Sequence, residues 1–456
     1  MSGLAAGIRL AHFGKNVVIL ERHNVVGGLN SFYSFDGRKF DVGLHAVTNY
    51  VPPGTKGTPL AKICRQLRIN RDELSLAPQK SGSRVVFPCA ELRFNNDFEL
   101  LRSEVARAFP GEADGFSKLA GFVREYDAFA DGLVVESARD KLDCFIREPL
   151  LRELLLCPLM YYGCAREGDM DLDQFVIMFR ALYFEGFGRP FEGVRQILRV
   201  LQKRYKTLGG ERVMKCGVAK IDVSGGKAKA LHLDNGEVIT ADIVLSSIGS
   251  VETGRLFSDG QPDGGEMDVG RISYVESITV MDKQPSGFGW DDTIVFFSKQ
   301  ADFFYGRPEG LVDTAGGIIC FPNNYDYEAG ETLDEGFLRI TALANYDAWT
   351  GMTEEKYLGQ KAVWSDKLLG GALDVLPAVP KIELERSTVA TDFFTPRTIT
   401  KFTGHLAGAV YGSHNKVRDG RTRLKNVFLC GTDQGFLGIT GAMLSGISMA
   451  NRYCLG

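Results

Sequence analysis

The sequence predicts an α/β protein in which a discontinuous Rossmann-like nucleotide-binding domain is interrupted by a second, α+β domain. The chain opens at residues 2–21 with a glycine-bearing helix and an apolar strand that ends in an acid. A second α/β stretch, residues 194–247, ends in a short apolar strand, and residues 426–446 join another such strand to a glycine-rich helix start. Because these three signals lie at both ends and in the middle, the material between them is expected to form the other domain.

The opening segment matches the second half of a dinucleotide-binding βαβ unit. Ser2–His12 is predicted to be a helix that carries Gly3 and Gly7, and an apolar run then leads to Glu21, 18 residues after Gly3. In the complete unit, glycines bring the backbone close to a pyrophosphate at the helix N-terminus. An acid about 20 residues further on binds the ribose hydroxyls. Glu21 is the candidate for that acid.

The strand and the first two glycines of the complete unit do not precede Met1. We therefore expect that the sequence starts inside the motif, through a misplaced start or a truncation. The alternative is an ordinary amphipathic helix followed by a strand that happens to end in Glu.

Between these signals the pattern is less specific. Asp36-Gly37 between two short strand-like runs predicts a hairpin, and residues 60–200 are predicted to be mainly helical. Residues 213–223 read as one strand, residues 270–350 as several strands, and residues 354–376 as a helix.

Composition excludes several function classes. A net charge of −4 over 456 residues gives no general attraction for nucleic acid. The nine cysteines form no C-x-x-C pair, so neither a metal site nor a disulfide framework is predicted, and free thiols favour a reducing, cytoplasmic setting. The sequence has no apolar run of about 18 residues that would predict a membrane span, and peripheral contact with a membrane surface is left open.

Taken together, these pieces resemble the flavin-dependent superfamily of phytoene desaturases, carotenoid isomerases and retinol saturases, distant relatives of the amine oxidases. The resemblance is carried by residues 3–21, 27–45, 193–244 and 411–446. It implies FAD as cofactor. It also implies an FAD-binding domain made of residues 1–60, 190–258 and 395–456, and a substrate-binding domain with a helical cap made of residues 61–189 and 259–394.

The resemblance also implies which residues hold FAD. They are Gly3, Gly7, Glu21, Gly27, Gly28, Asn30, His45, Val218, Gly431, Asp433, Gly438, Ile439 and Gly441. Val218 would contact the adenine through its backbone, although strand core explains it equally well. Asp433 would bond to the ribityl chain or near the pyrophosphate, or would cap the last helix. His45 would lie near the flavin, and a structural histidine is the alternative. No catalytic residue is predicted.

Departures from the desaturase pattern narrow the resemblance to one branch of this superfamily. Thr432 stands between the tail glycine and Asp433, and Leu29-Asn30 stands where desaturases usually carry Arg. The Gly-x-Asp arrangement of the tail, its short spacing to Gly441-Ala442, and Gly43-Leu44-His45 are more similar to retinol saturases.

The resemblance implies an FAD-dependent oxidoreductase that acts on carbon–carbon double bonds of a polyisoprenoid by desaturation, saturation or isomerisation. Its partner is a hydrophobic polyene in an apolar, aromatic-lined channel. Aromatic residues between 175 and 187 and between 296 and 305 are candidates for that channel, with core packing as the alternative. The helix predicted at 149–162 would either dip into a bilayer or be buried. An amine-oxidase-like flavoenzyme and, if the truncation is real, a flavin-free lipid-binding protein are the rival functions. The oligomeric state is not predicted.

Overall fold

The computed structural model describes residues 1–43, 45–130, 132, 134–261 and 264–456, so Leu44 of the Gly43-Leu44-His45 stretch lies outside the described residues. The helices are α1 (Ser2–His12), α2 (Pro59–Leu67), α3 (Phe98–Ala108), α4 (Ala113–Glu125), α5 (Ala138–Asp143), α6 (Pro149–Gly163), α7 (Leu172–Phe179), α8 (Val194–Thr207), α9 (Ser250–Arg255), α10 (Tyr346–Thr350), α11 (Glu354–Leu373), α12 (Lys381–Ser387), α13 (Pro396–Thr403) and α14 (Gly438–Ala450).

The strands are β1 (Val18–Glu21), β2 (Phe32–Phe35), β3 (Arg38–Asp41), β4 (Val47–Thr48), β5 (Leu76–Pro78), β6 (Ser83–Phe87), β7 (Ala90–Phe94), β8 (Phe187–Pro190), β9 (Glu211–Met214), β10 (Val218–Ser224), β11 (Lys227–Leu233), β12 (Val238–Ile239), β13 (Val244–Ser246), β14 (Tyr274–Met281), β15 (Ile294–Ser298), β16 (Gly316–Cys320), β17 (Gly336–Leu343), β18 (Thr388–Phe394) and β19 (Val427–Leu429). Together with the helices they form the mixed α/β architecture that the sequence predicts.

The two chain ends meet through α1 and α14. A Cβ on Gly446 would lie 2.1 Å from the Ser2 carbonyl oxygen, so only glycine lets these helices pack this closely. A Cβ on Gly7 would lie 2.8 Å from the Ile19 side chain, so Gly7 lets α1 pack on β1. Next to these helices β1 pairs in parallel with β9, and β13 pairs in parallel with β19. The starts of both helices therefore face the carboxyl ends of short parallel strands.

A seven-stranded mixed sheet forms the centre of the rest of the chain, in the order β18-β14-β17-β16-β15-β6-β7. Strands β14, β15 and β16 are buried along their whole length. Continuous burial explains why β15 and β16 appear in the sequence as apolar runs rather than as alternating patterns. One hydrophobic cluster joins this sheet to α6 and α7, and another joins it to α11.

Helix α6 is buried at Leu151 and continuously from Leu154 to Tyr161, so it is the buried helix of the two alternatives and not a membrane-dipping one. Within the described ranges, no helix is both long enough and apolar enough to cross a bilayer.

Two predicted elements differ from the structure. The segment predicted to be mainly helical also contains β5 to β8, because the alternating burial of Ser83–Phe87 is a strand pattern that the surrounding helices obscure. The strand predicted at 213–223 divides into β9 and β10, because Lys215 takes a left-handed backbone conformation, with φ of 55°, between them.

One hydrophobic cluster draws on all three predicted nucleotide-binding segments. It combines buried side chains of residues 4–76, 194–205 and 439–447. It includes α2 and Leu76, and so extends past the boundary predicted at residue 60. The division into two domains stays a prediction.

Candidate functional site

Five of the seven glycines implied to hold FAD fall into two groups. A Cβ on Gly3, Gly28 or Gly438 would meet no described protein atom within 4 Å. A Cβ on Gly27 or Gly441 would instead collide with backbone atoms at 2.5 Å and 2.9 Å. The second group is required by the fold. The first group opens onto space that a ligand can approach, which is what a nucleotide cradle needs.

The N-termini of α1 and α14 lie beside these open glycines and have no side-chain cap or acid in the first turn. Gly431 contacts both helices, because a Cβ there would lie 3.0 Å from Ser2 Oγ in α1, and its backbone N–H donates to Ser445 Oγ in α14 at 2.6 Å. The first N–H groups of a helix have no partner within the helix, and the helix dipole favours negative charge there. This edge therefore suits the phosphates and the electron-rich ring edge of a dinucleotide.

Glu21 and Val218 lie on the neighbouring strands. Oε1 of the Glu21 carboxylate accepts a hydrogen bond of 2.9 Å from the His23 backbone. The Val218 carbonyl accepts a hydrogen bond of 3.1 Å from the Arg22 guanidinium, which also forms an ion pair with Asp234 at 2.9 Å. A bound adenine that uses this carbonyl has to share it with Arg22. Both cofactor roles stay predictions.

Asp433 is not the cap of the last helix, because α14 has Leu437 at that position and no side-chain cap. Its carboxylate accepts three hydrogen bonds instead: from the Ser250 backbone N–H at 2.7 Å, from Ser250 Oγ at 3.0 Å and from the Ser413 backbone N–H at 2.9 Å. It therefore links the first turn of α9 to the loop before β19. The proposed bond to the ribityl chain stays a prediction.

His45 lies in a buried charged network. Its Nε2 is 3.1 Å from Glu276 Oε1 and 2.9 Å from Thr341 Oγ1. Arg339 Nε donates to Glu276 Oε1 at 2.8 Å. Burial lowers the pKa of His45, which keeps its ring neutral. Burial raises the pKa of the Glu276 carboxyl, but the Arg339 guanidinium and the hydrogen bond with His45 together outweigh this and lower that pKa to about 2.

A second ion pair is joined to the first. Arg189 Nη2 lies 2.5 Å from Asp41 Oδ2. The other carboxylate oxygen of Asp41 accepts a hydrogen bond of 3.0 Å from the backbone N–H of Val194, at the start of α8. Arg189 also donates to the His45 carbonyl at 3.2 Å, and Arg339 donates to the Asp41 carbonyl at 3.0 Å. The two pairs therefore hold the His45 segment, α8 and the large sheet together.

The sequence interpretation missed Glu276, Arg339 and Arg189. The signal that could have found the first two is a charged residue inside an otherwise uncharged strand, as in Tyr274–Met281 and Gly336–Leu343. A charge that is buried on both faces of a sheet needs a partner, so two such strands predict a pair.

Tyrosines pack beside this network. Tyr274 Oη and Tyr305 Oη are 3.0 Å apart, and Tyr305 donates to the Cys164 carbonyl at 2.7 Å. Tyr411 donates to the Tyr161 carbonyl, and its own carbonyl accepts from Lys416. Most of the aromatic residues predicted to line a channel are core residues instead, with under 4% of their surface exposed: Phe175, Phe179, Tyr183, Phe187, Phe296, Phe297 and Tyr305.

Replacing His45 with glutamine is expected to weaken the pH dependence of stability. The unfolded chain has an ordinary histidine pKa of 6.5 at this position, whereas the folded chain has a lower one. Below pH 6.5 the unfolded state therefore binds more protons, and stability falls as the pH falls, by at most about 1.4 kcal/mol per pH unit for one group.

We expect the free energy of unfolding, measured in urea at about pH 7.5 and pH 5.5, to drop less in His45→Gln than in the unsubstituted chain. His405, whose pKa burial also lowers, is present in both proteins and cancels in the comparison. Equal drops in the two proteins would show that His45 does not titrate in this way.

Comparisons with known proteins extend these observations. A family model described as flavin-containing amine oxidoreductase matches residues 1–453. Prolycopene isomerase 1, chloroplastic, of an Oncidium hybrid cultivar is 23% identical over 502 residues, which cover 99% of this chain and 82% of that protein. All-trans-retinol 13,14-reductase of Danio rerio is 22% identical over 529 residues, which cover 99% of this chain and 85% of that protein. The crystal structure of an oxidoreductase from Methanosarcina mazei has a TM-score of 0.67 at 16% identity and covers 99% of this chain and 98% of its own.

Proposed function

This chain belongs to the flavin-containing amine oxidoreductase family, and on that premise we propose that it acts on carbon–carbon double bonds of a polyisoprenoid, a carotenoid or a retinoid. The reaction is desaturation, saturation or isomerisation, with FAD as the cofactor. One observation carries the proposal. Two relatives whose alignments cover 99% of this chain are themselves a carotenoid isomerase and a retinol reductase. The superfamily and the flavin implied by the sequence are confirmed by the family match.

The described residues fit FAD. The first turn of α1 with Gly3 would hold the pyrophosphate, and Glu21 would bind the ribose hydroxyls. The loop at Gly28 and the first turn of α14 at Gly438 would face the flavin end of the cofactor, and a Cβ at either glycine would meet no described protein atom within 4 Å. When bound, the flavin supplies hydride exchange with a carbon chain.

The other residues of the site would orient the substrate and exclude water. Neutral His45 is held in one position by Glu276 and Thr341. The Tyr274 and Tyr305 hydroxyls lie beside this network and bond to each other rather than to a charged group, which suits a neighbouring hydrocarbon chain. We assign no general acid or base.

Peripheral membrane contact stays part of this proposal. Three apolar side chains of one loop are mostly exposed, Phe129 by 55%, Val134 by 78% and Val135 by 63%. The Phe129 ring stacks on Phe436, just before the start of α14, with 5.6 Å between centroids. A substrate dissolved in lipid would reach the site at this point, and flotation with lipid vesicles tests the contact.

The proposal is tested by anaerobic absorption spectra of the FAD-supplemented protein mixed with phytoene, prolycopene or retinol. With oxidised flavin, a polyene band that moves to longer wavelength means desaturation. With reduced flavin, a band that moves to shorter wavelength means saturation, and a changed isomer profile without net oxidation means isomerisation. No change in any mixture, with flavin bound, would contradict the proposal and favour the amine-oxidase-like function, which the family description also supports.

A further inference from the structure

A guanidinium group lies at the edge where β1 ends, and the proposed cofactor contacts do not use it. Arg22 directly follows Glu21, the last residue of β1. The backbone here is fixed to the neighbouring segment, because the Glu21 carbonyl accepts from the Cys216 N–H at 2.9 Å and the His23 carbonyl accepts from the Lys215 N–H at 3.2 Å. An acid at the position of Glu21 binds the adenosine ribose of a dinucleotide. The adenine attached to that ribose would therefore lie at the same edge.

Arg22 is held in place by groups at the two ends of the β10–β11 hairpin. Its Nε donates to Asp234 Oδ2 at 2.9 Å, and its Nη2 donates to the Val218 carbonyl at 3.1 Å. Asp234 Oδ2 is itself fixed, because it also accepts from the Gly217 N–H at 3.0 Å. A Cβ on Gly217 would lie 2.4 Å from Arg22 Nε, so any larger residue there would push the guanidinium away. The guanidinium is therefore an oriented part of this edge, although 65% of the Arg22 side chain is exposed.

One nitrogen of this guanidinium is left for a ligand. Nε and Nη2 supply the bonds to Asp234 and Val218, and Nη1 donates to none of the residues that the structure describes. The Val218 carbonyl oxygen has two lone pairs, so it can accept a second hydrogen bond beside that from Arg22. Neither residue is buried. A donor and an acceptor therefore stand side by side where a ligand can reach both.

This pair of groups matches one edge of adenine. Adenine presents its 6-amino donor beside the N7 acceptor, and the amide of Asn or Gln reads that edge with one oxygen and one N–H group. Here the Val218 carbonyl would take the place of the amide oxygen, and the Arg22 guanidinium would take the place of the amide nitrogen. Their own hydrogen bond of 3.1 Å fixes the two protein groups relative to each other. A purine without N7 would face the guanidinium with a C–H group and lose one of the two bonds.

We propose that Arg22 makes the cofactor site specific for adenine: its guanidinium donates to N7 while the Val218 carbonyl accepts from the 6-amino group. The inference rests on the proposed function, because it takes FAD as the cofactor. It deepens that function by giving the side chain next to Glu21 a recognition role. A guanidinium that merely blocked the Val218 carbonyl would weaken cofactor binding instead, and the experiment distinguishes the two.

The test compares ADP with 7-deaza-ADP, in which a C–H group replaces N7. Each nucleotide is titrated against FAD bound to the full chain, and the recovery of free-flavin fluorescence gives its dissociation constant. The unsubstituted chain is expected to bind ADP about tenfold more tightly than the analogue, because the analogue loses a hydrogen bond to a charged donor. Arg22→Met is expected to bind the two nucleotides equally, and to bind ADP about tenfold more weakly than the unsubstituted chain does.

Arg102→Met is the matched control, because Arg102 also pairs with an acid, Glu99, and its side chain is 57% exposed. This variant is expected to keep the preference for ADP. Thermal unfolding verifies that Arg22→Met is folded. If it is not, Asp234→Ala, which removes the carboxylate that orients the guanidinium, is expected to lose most of the preference.

Three results would overturn the inference while FAD still binds. They are equal binding of ADP and 7-deaza-ADP by the unsubstituted chain, a preference that survives in Arg22→Met, and no displacement of FAD by ADP. Tighter binding of ADP by Arg22→Met would also overturn it, and would show that Arg22 competes with adenine for the Val218 carbonyl. A chain that binds no FAD at all would defeat the proposed cofactor as well.

Discussion

Replacing Arg339 with methionine is expected to lower the free energy of unfolding by about 3–5 kcal/mol, because one buried charge would lose its partner. Arg339 is 3% exposed and Glu276 is 7% exposed, and their charged groups lie 2.8 Å apart. Methionine fills much of the same volume but offers no donor to Glu276 or to the Asp41 carbonyl. Equilibrium denaturation in urea, followed by circular dichroism, measures the loss.

The matched control is Arg102→Met. Arg102 also pairs with a glutamate, Glu99, but its side chain is 57% exposed. Exposed ion pairs contribute about 0–1 kcal/mol to stability, so the free energy of unfolding of this variant is expected to be close to that of the unsubstituted chain. A loss in Arg339→Met no larger than that in Arg102→Met would contradict the view that the buried network holds the sheet to the His45 segment.

Replacing Gly3 with leucine is expected to weaken FAD binding by at least about 100-fold, or about 2.8 kcal/mol, without destabilising the chain. A Cβ at Gly3 would meet no described protein atom within 4 Å, so the new side chain starts in open space. It would occupy the space at the start of α1 through which the pyrophosphate approaches the backbone. Titration with FAD, followed by flavin fluorescence, gives the affinity, and thermal unfolding without FAD gives the stability.

Gly121→Leu is the control for this experiment. Gly121 also lies within a helix, α4, and also has open space where a Cβ would be, but it is remote in sequence from the nucleotide-binding segments. The Gly121→Leu variant should bind FAD with the same affinity as the unsubstituted chain. Loss of FAD binding in both variants, or in neither, would show that the start of α1 is not the phosphate site.

The parts of the fold that could be predicted are those with local signals. The helix Ser2–His12, the hairpin at Asp36-Gly37 and the helix start at Gly438 each depend on neighbouring residues, and the structure confirms all three. Glycine and turn residues restrict the backbone directly, so these predictions needed no knowledge of tertiary contacts.

The charged network could not be predicted in this way, because its geometry depends on pairing between distant strands. His45 and Glu276 are 231 residues apart. The register of β14 on β17 places Glu276 opposite Thr341, and Arg339 follows two positions away on the same face. A shift of that register by one residue would turn Arg339 to the other face, and nothing local in either strand specifies the register. For the same reason, the partners of Asp433 could not be predicted, although its position after a strand and a glycine could.

The central claim is that the glycine-lined edge between α1 and α14 holds FAD, and direct titration of the purified chain with FAD tests it best. We expect equimolar binding, a visible flavin spectrum that persists through gel filtration, and a higher unfolding temperature in the presence of FAD, since a ligand that binds only the folded state stabilises it. A protein that stays colourless, takes up no FAD and unfolds at an unchanged temperature would contradict the claim and would favour a flavin-free lipid-binding protein.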